Sequence, residues 1–190
     1  MSWENKSLQK KRLMPEARRK QLMAAAIACY GEMGVERAGH GDVAKRVGVS
    51  TATVFNYFGT RESLTEAVFE NVYDVFRDMF VDRPPSDATL QECIQHMANH
   101  YAYLVRTYPD VVKVALNWSS SFGNCVRPQY LEFQKWLLDG IQQRLPEGRP
   151  DFSDARIILA TAYNYARMKL DNTPDEVLER FVARIVMAMG

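Results

Sequence analysis

Apolar residues recur every three or four positions along most of this chain, which is the spacing of a helix with one buried face. Such stretches cover about residues 15–33, 42–47, 51–57, 61–81, 87–107, 110–120, 126–145, 153–170 and 173–189. We find no convincing strand pattern and no internal repeat. The pattern predicts an all-α protein of about nine helices, with three short ones at the N-terminus and longer ones behind.

Glycine and proline residues mark the predicted helix ends. Pro15 suits the first turn of a helix, and Gly31 and Gly34 weaken and end that helix. Gly48 separates the second helix from the third, and Gly59 separates the third from the fourth. Further loops are predicted at residues 83–86, 119–124 and 146–150.

The composition excludes several classes of protein. It is 47% apolar and 25% charged, as in globular proteins, and no apolar run approaches the roughly 20 residues of a membrane span. The first 11 residues lack the apolar core of a signal peptide, so we expect a cytoplasmic protein. Three cysteines, Cys29, Cys93 and Cys125, match no zinc or redox spacing and are expected to be reduced.

Charge is distributed unevenly along the chain, although its net value is only +1. Residues 1–61 hold 11 Lys or Arg against 5 Asp or Glu, a net charge of +6. Residues 62–190 hold 13 against 18, a net charge of −5. A basic head on an acidic body indicates a phosphate-binding module joined to another module. Chance clustering of solvated charges is the alternative.

Residues 41–58 contain a helix-turn-helix pattern. Gly48 permits the sharp turn, and the small Ala44 lets the second helix cross close to the first. Val49, Val54 and Phe58 have the spacing to fill a small core. An ordinary helical hairpin with capping residues is the alternative interpretation.

The polar face of the second of these helices is suited to DNA. Ala52 and Asn56 point away from Val54 and Phe58, and Thr53 lies beside them. Asparagine pairs with adenine through two hydrogen bonds, and threonine methyls contact thymine methyls. Hydroxyls, helix N-terminal amides and one cation at other positions are predicted to bind phosphates. These positions are Ser50, Thr51, Tyr57, Thr60 and Arg61.

Residues 16–70 resemble the DNA-binding head of the TetR family. The resemblance rests on the segments 42–50 and 54–64. The family's LuxR/HapR-type branch of quorum-sensing master regulators is resembled by Arg12, Leu13, Pro15 and the segments 19–23, 39–40 and 52–58. The resemblance implies a homodimer that activates some promoters and represses others, with Lys11 and Arg12 entering the minor groove. Phe55 departs from the Tyr usual in the family, and Gly41 stands where Ala is usual, so the target sequence is not transferred.

The resemblance also implies three parts of the chain and a dimer. They are a flexible basic arm at 1–14, a helix-turn-helix domain at 15–60 and a regulatory and dimerisation domain at 61–190. The last two helices of each protomer are expected to pair as a four-helix bundle. The predicted interface residues are Ala160, Tyr163, Arg167, Phe181, Ile185 and Met187. Intramolecular core positions are the alternative.

Large soft side chains in the middle helices are candidates for lining a ligand cavity. They are Phe76, Met79, Phe80, Met97, Tyr101, Leu104, Trp118, Tyr130 and Phe133, with Asn117 and Gln134 as polar contacts. An ordinary packed core is equally consistent with them. We expect no cofactor, apart from an unidentified small apolar effector.

The remaining polar residues give weaker evidence of a functional site. His96 and His100 are four residues apart, but no third metal ligand is evident in register. His40 is interpreted as a capping or packing residue. The acidic row from Glu62 to Asp74 is explained by a solvated face. No catalytic constellation is visible, so we expect no enzyme.

Three functions remain open from the sequence. The first is a homodimeric, sequence-specific DNA-binding regulator on a palindromic operator, of quorum-sensing type. The second is a ligand-released repressor of efflux or catabolic genes. The third is a helical enzyme or protein-interaction module without a DNA role, which the basic head and the missing catalytic groups both disfavour.

Overall fold

A computed structural model describes residues 14–123, 126–148 and 152–189. Within those ranges it contains nine helices and no strand, as predicted. Their bounds are α1 Pro15–Met33, α2 His40–Val47, α3 Thr51–Phe58, α4 Arg61–Asp78, α5 Leu90–Thr107, α6 Pro109–Ser119, α7 Arg127–Gln142, α8 Ser153–Leu170 and α9 Asp175–Met189. The predicted arm contacts Lys11 and Arg12, and also Cys125, lie outside the described residues.

Helix α5 begins at Leu90 rather than near residue 87, and its cap gives the reason. The Oγ1 atom of Thr89 accepts a hydrogen bond from the Glu92 backbone N–H at 3.3 Å. The Glu92 carboxylate accepts one in return from the Thr89 backbone N–H at 2.8 Å. This reciprocal capping box satisfies two amides that have no partner inside the helix, so it sets the helix start.

The N-terminal head is a small three-helix unit. Gly48 takes a left-handed conformation with φ 71°, which allows the tight turn between α2 and α3. Leu22 of α1, Val43 of α2 and Val54 of α3 are fully buried together in the core. Burial of these side chains holds α3 in one orientation on the head.

Helix α6 crosses α1 at a glycine. A Cβ atom on Gly31 would lie 3.1 Å from both the Asp110 carbonyl oxygen and the Lys113 Cβ. The Asn117 amide donates hydrogen bonds to the carbonyl oxygens of Gly31 at 2.8 Å and Tyr30 at 3.3 Å. Gly31 therefore lies within α1, which ends at Met33 before Gly34 as predicted, and it permits the head to pack closely on the body.

Aromatic residues form the centre of the body. Trp118 stacks on Phe69, with ring centroids 3.7 Å apart, and on Phe133, at 5.1 Å. Trp118 and Phe133 are fully buried, and the Trp118 indole N–H donates to the Val126 carbonyl at 3.1 Å. Contacts of this kind fill space, so both residues belong to packed core rather than to a cavity wall.

The ends of α4 and α7 are joined by a buried cation. Arg144 is 6% exposed, and its guanidinium donates to the backbone carbonyls of Phe80, Asp82 and Gly140. Its charge also lies 4.7 Å from the centre of the Phe80 ring. Burial lowers the pKa of Arg144. Helix C-terminal carbonyls carry partial negative charge, which stabilises a cation here.

Across the described parts of the chain, no helix is both long enough and apolar enough to cross a lipid bilayer.

Candidate nucleic-acid interface and ligand cavities

Helix α3 has one buried side and one exposed side. Val54 and Phe58 are 0% and 4% exposed and anchor the helix on the head. Thr51, Ala52 and Asn56 are exposed on the opposite side. The two predicted groove-facing residues, Ala52 and Asn56, are thus available to a partner, and Thr53 beside them is half-buried.

The hydroxyls at the helix starts are already used for capping. Ser50 Oγ accepts from the Thr53 backbone N–H at 3.2 Å and lies 2.8 Å from Thr53 Oγ1. Thr60 Oγ1 accepts from the Ser63 backbone N–H at 3.2 Å and caps α4. These predicted phosphate contacts therefore also fix the ends of α3 and α4.

The start of α4 carries an anion as well as a cation. The exposed Arg61 guanidinium donates to the Glu36 carbonyl. The Glu62 carboxylate is held by its own backbone N–H and by the Thr60 hydroxyl, and these hydrogen bonds lower the pKa of Glu62. A phosphate at this helix start would meet the Glu62 charge, so the predicted contact depends on Glu62 moving aside.

Arg19 is a cation that the sequence analysis did not single out. Its guanidinium donates to the Tyr57 carbonyl at 2.9 Å and lies 4.9 Å from the centre of the Phe58 ring. Tyr57 itself is half-buried. The carbonyl end of α3 attracts a cation, which gives Arg19 a structural role and places positive charge at the C-terminal end of α3.

Phe55, which departs from the family's Tyr, was not among the predicted DNA contacts. It is 48% exposed and, one turn beyond Ala52, shares the exposed side of α3 with Asn56. Its ring stacks on His40, with centroids 3.9 Å apart and planes 5° apart. His40 is 5% exposed, and burial lowers its pKa, so the neutral ring is favoured. The signal available in the sequence was the position of Phe55, in phase with Ala52 and Asn56.

An apolar cavity of about 70 Å³ lies in the body among α4, α5, α7, α8 and α9. Four of the predicted pocket residues line it: Phe76, Met79, Met97 and Tyr101. Three residues predicted for the dimer interface, Tyr163, Phe181 and Ile185, also line it. Within the single chain, Tyr163 is buried and Phe181 and Ile185 are half-buried.

The other predicted pocket residues lie elsewhere. Leu104, Trp118 and Phe133 are in the packed core, Phe80 packs against Gly140 and Arg144, and Asn117 binds the α1 backbone. Tyr130 and Gln134 line a separate cavity of about 360 Å³ between α7 and α8. We call it the α7–α8 groove. The five residues in the packed core or bound to the backbone fill their space and line neither cavity.

The remaining predicted interface residues are divided between two surfaces. Ala160 and Arg167 of α8 line the α7–α8 groove, together with Tyr163. Met187 of α9 is 76% exposed. Other apolar side chains exposed on the same two helices are Ile157, at 46%, and Val177, at 37%.

The two histidines of α5 touch each other. The rings of His96 and His100 meet edge to face with centroids 4.4 Å apart, and His100 Nε2 lies 3.7 Å from the Asp82 carboxylate. Among the described residues, no group of three or more His, Cys, Asp or Glu side chains is arranged to hold a metal ion.

Residues 22–68 match the family model described as bacterial regulatory proteins, tetR family. The chain is 37% identical over 120 residues to the HTH-type transcriptional regulator LuxR of Vibrio harveyi. That match covers 63% of this chain and 58% of the relative, so the chain spans less than two thirds of that relative's length.

Solved structures show the same fold over most of the chain. A TetR-like transcriptional regulator from Rhodococcus sp. RHA1 matches with a TM-score of 0.69 at 13% identity, over 91% of this chain and 97% of that one. The multidrug binding protein EbrR, crystallised with imidazole, matches with a TM-score of 0.59 at 19% identity, over 90% of both chains.

A three-helix head with a helix-turn-helix, joined to a helical body, is the fold class of the TetR-like regulators that the chain matches. Within that class, residues 22–68 match the TetR family model, and the chain is similar to the LuxR regulator over 120 residues.

Proposed function

We propose that this protein is a sequence-specific, double-stranded DNA-binding regulator of transcription. The observation that carries the proposal is the exposed side of α3, where Ala52, Phe55 and Asn56 project from a helix anchored by Val54 and Phe58. A helix of this width enters the major groove, where asparagine distinguishes adenine from other bases. The match of residues 22–68 to the family model supports this assignment.

The proposed DNA contacts divide into two groups. Ala52, Thr53, Phe55 and Asn56 face base edges, and Ser50, Thr51, Tyr57, Thr60 and Arg61 lie at the ends of α3 and α4, where phosphates pass. The net charge of +6 over residues 1–61 adds a sequence-independent attraction. Lys11 and Arg12 are proposed to extend the contact into the minor groove, as the family resemblance implies.

A homodimer is part of the proposal. Two heads separated by about one helical turn of DNA, roughly 34 Å, would read a palindromic operator. The exposed apolar side chains of α8 and α9, Ile157, Val177 and Met187, are the proposed contact with a second copy. The resemblance to LuxR supports a role in quorum sensing as the finer proposal.

Selection of bound duplexes from a random pool tests DNA binding and operator symmetry together. We expect a palindromic consensus. Asn56→Ala should lose about 1–3 kcal/mol of discrimination at one base position in each half-site, since it removes a two-hydrogen-bond contact. Affinity measured on the selected and single-base-variant duplexes checks this.

Arg77→Gln, at an exposed α4 residue that pairs with Asp74 away from α3, is the matched control and should leave discrimination unchanged. Enrichment of no sequence from the pool would contradict the proposed function.

A ligand-released repressor is the second candidate, and the apolar cavity favours it. The similar structure of EbrR is that of a multidrug binding protein with imidazole bound. At about 70 Å³ the cavity is smaller than the about 150 Å³ that holds benzene, so a ligand would have to move its walls. Release of the selected duplex by an apolar compound, with the release abolished by filling the cavity through Ala98→Met, would favour this candidate.

A further inference from the structure

The α7–α8 groove has the size of a small-molecule site and is open to solvent on one side. Its volume of about 360 Å³ lies within the roughly 300–1,000 Å³ of known ligand pockets. Ser119, Ser120 and Phe122, at and after the end of α6, line one part of it, and α7 and α8 line the rest. It shares Tyr163 and Leu159 with the apolar cavity but otherwise has its own lining.

A short row of hydrogen bonds leads into this groove. The Gln134 amide donates to the Tyr130 hydroxyl at 3.3 Å, and the Tyr130 hydroxyl donates to the Tyr163 hydroxyl at 3.4 Å. Tyr130 and Tyr163 are 2% and 8% exposed. In the described residues, the Tyr163 proton has no acceptor of its own, so a buried donor is left for an added group. Burial raises the pKa of Tyr163, which keeps this proton in place.

Two cations line the same groove as that donor. Arg156 and Arg167 line the groove, and no Asp or Glu is among the described lining residues. The described structure pairs neither guanidinium with a carboxylate, and Arg167 lies one helical turn after Tyr163 on α8. A third cation, Arg127, lies near the rings of Phe122 and Tyr130, at 4.5 and 5.0 Å from their centres.

We propose that the α7–α8 groove binds a small organic anion. Its anionic group accepts hydrogen bonds from the Tyr163 hydroxyl and the Arg167 guanidinium, with Arg156 as a second cation. Guanidinium and carboxylate match in geometry and form strong, charge-assisted hydrogen bonds. Phe122, Leu138 and Leu159 supply an apolar wall for the flat or branched hydrocarbon part of the ligand. Anion binding in this groove is expected in the protein without DNA, so it does not depend on the proposed DNA-binding function.

Calorimetric titration of the purified full-length protein tests it with three matched probes: 2-naphthoate, 2-naphthyl phosphate and the neutral 2-naphthamide. We expect an anion to bind at least tenfold more tightly than the amide. The better of the carboxylate and the phosphate identifies the anionic group. Arg167→Gln should weaken the binding of the anion at least tenfold and leave the amide unaffected. Tyr163→Phe, which removes only the hydroxyl, should weaken it several-fold.

Two controls locate the site. Arg106→Gln removes the same charge from an exposed residue of α5 and should leave anion binding unchanged. Ala98→Met fills the apolar cavity and should also leave it unchanged.

The proposal is wrong if neither anion is preferred over the amide, or if Ala98→Met rather than Arg167→Gln abolishes binding. It is also wrong if Arg167→Gln dissociates the protein into monomers while anion affinity stays the same, since the arginines would then serve a contact between copies.

Discussion

The pairing of His40 with Phe55 shows how one buried side chain shapes the proposed DNA surface. An exposed phenylalanine on a helix has several rotamers, and a parallel ring at 3.9 Å selects one of them. The His40 ring is buried and its pKa is lowered, so the stack is formed with the neutral imidazole. A capping or packing role was predicted for His40, and packing is what the structure shows.

His40→Phe should reduce the pH dependence of folding stability. The folded head binds a proton at His40 less readily than the unfolded chain does. The stability that the neutral His40 contributes is therefore fully present above the ordinary histidine pKa of about 6.5. It is lost as the pH falls below that value, toward and through the lowered pKa of His40 in the folded protein. The phenylalanine keeps a stacked ring but does not titrate. Urea unfolding between pH 5 and about 8 checks this, and equal pH slopes for the two proteins would contradict it.

Two glycines in neighbouring helices have opposite roles. Gly31 of α1 lies where α6 crosses, and an added Cβ would press against a backbone carbonyl and Lys113. Gly41 of α2 is exposed, and an added Cβ would meet no atom within 4 Å. The sequence placed Gly31 inside a helix and Gly41 just before one, and only their surroundings in the fold show which of them can accept a Cβ atom.

Gly31→Ala should destabilise the protein by about 1–2 kcal/mol, because strain at the crossing, typically about 1–3 kcal/mol, exceeds the gain in helix propensity. Gly41→Ala is the matched control and should stabilise the protein by about 0.5–1 kcal/mol. Chemical unfolding of the three proteins measures both changes. A stabilising Gly31→Ala would show that α1 and α6 separate freely.

Side-chain hydrogen bonds join the N-terminal head to the helical body. Asn117 of α6 binds the backbone of α1, and the Tyr30 hydroxyl lies 2.8 Å from Thr65 Oγ1 of α4. The outward sides of α8 and α9 are different, because exposed Ile157 and Met187 have no core to join within the chain. A second copy packed on α8 and α9 would remove these apolar side chains from water.

Met187→Glu should weaken the proposed dimer at least tenfold, or about 1.4 kcal/mol, because it places a charge in an apolar contact. Light scattering over a dilution series measures this, and affinity for the selected duplex should fall in parallel. Val81→Glu makes the same change at a residue 69% exposed in the loop after α4 and should alter neither quantity. Unchanged assembly of Met187→Glu would place the interface elsewhere.

Helix spacing, glycine turns and capping residues are local properties, so the sequence alone determined the nine helices, the helix-turn-helix and the exposed side of α3. Those same patterns cannot say which apolar side chain packs and which lines a space, since both are buried. Trp118 and Phe133 were candidates for a cavity, but tertiary packing places them in the core, and it brings Tyr130, Tyr163 and Arg167 together in the α7–α8 groove. Cavities and close crossings depend on distances between helices far apart in the chain, which only the folded structure sets.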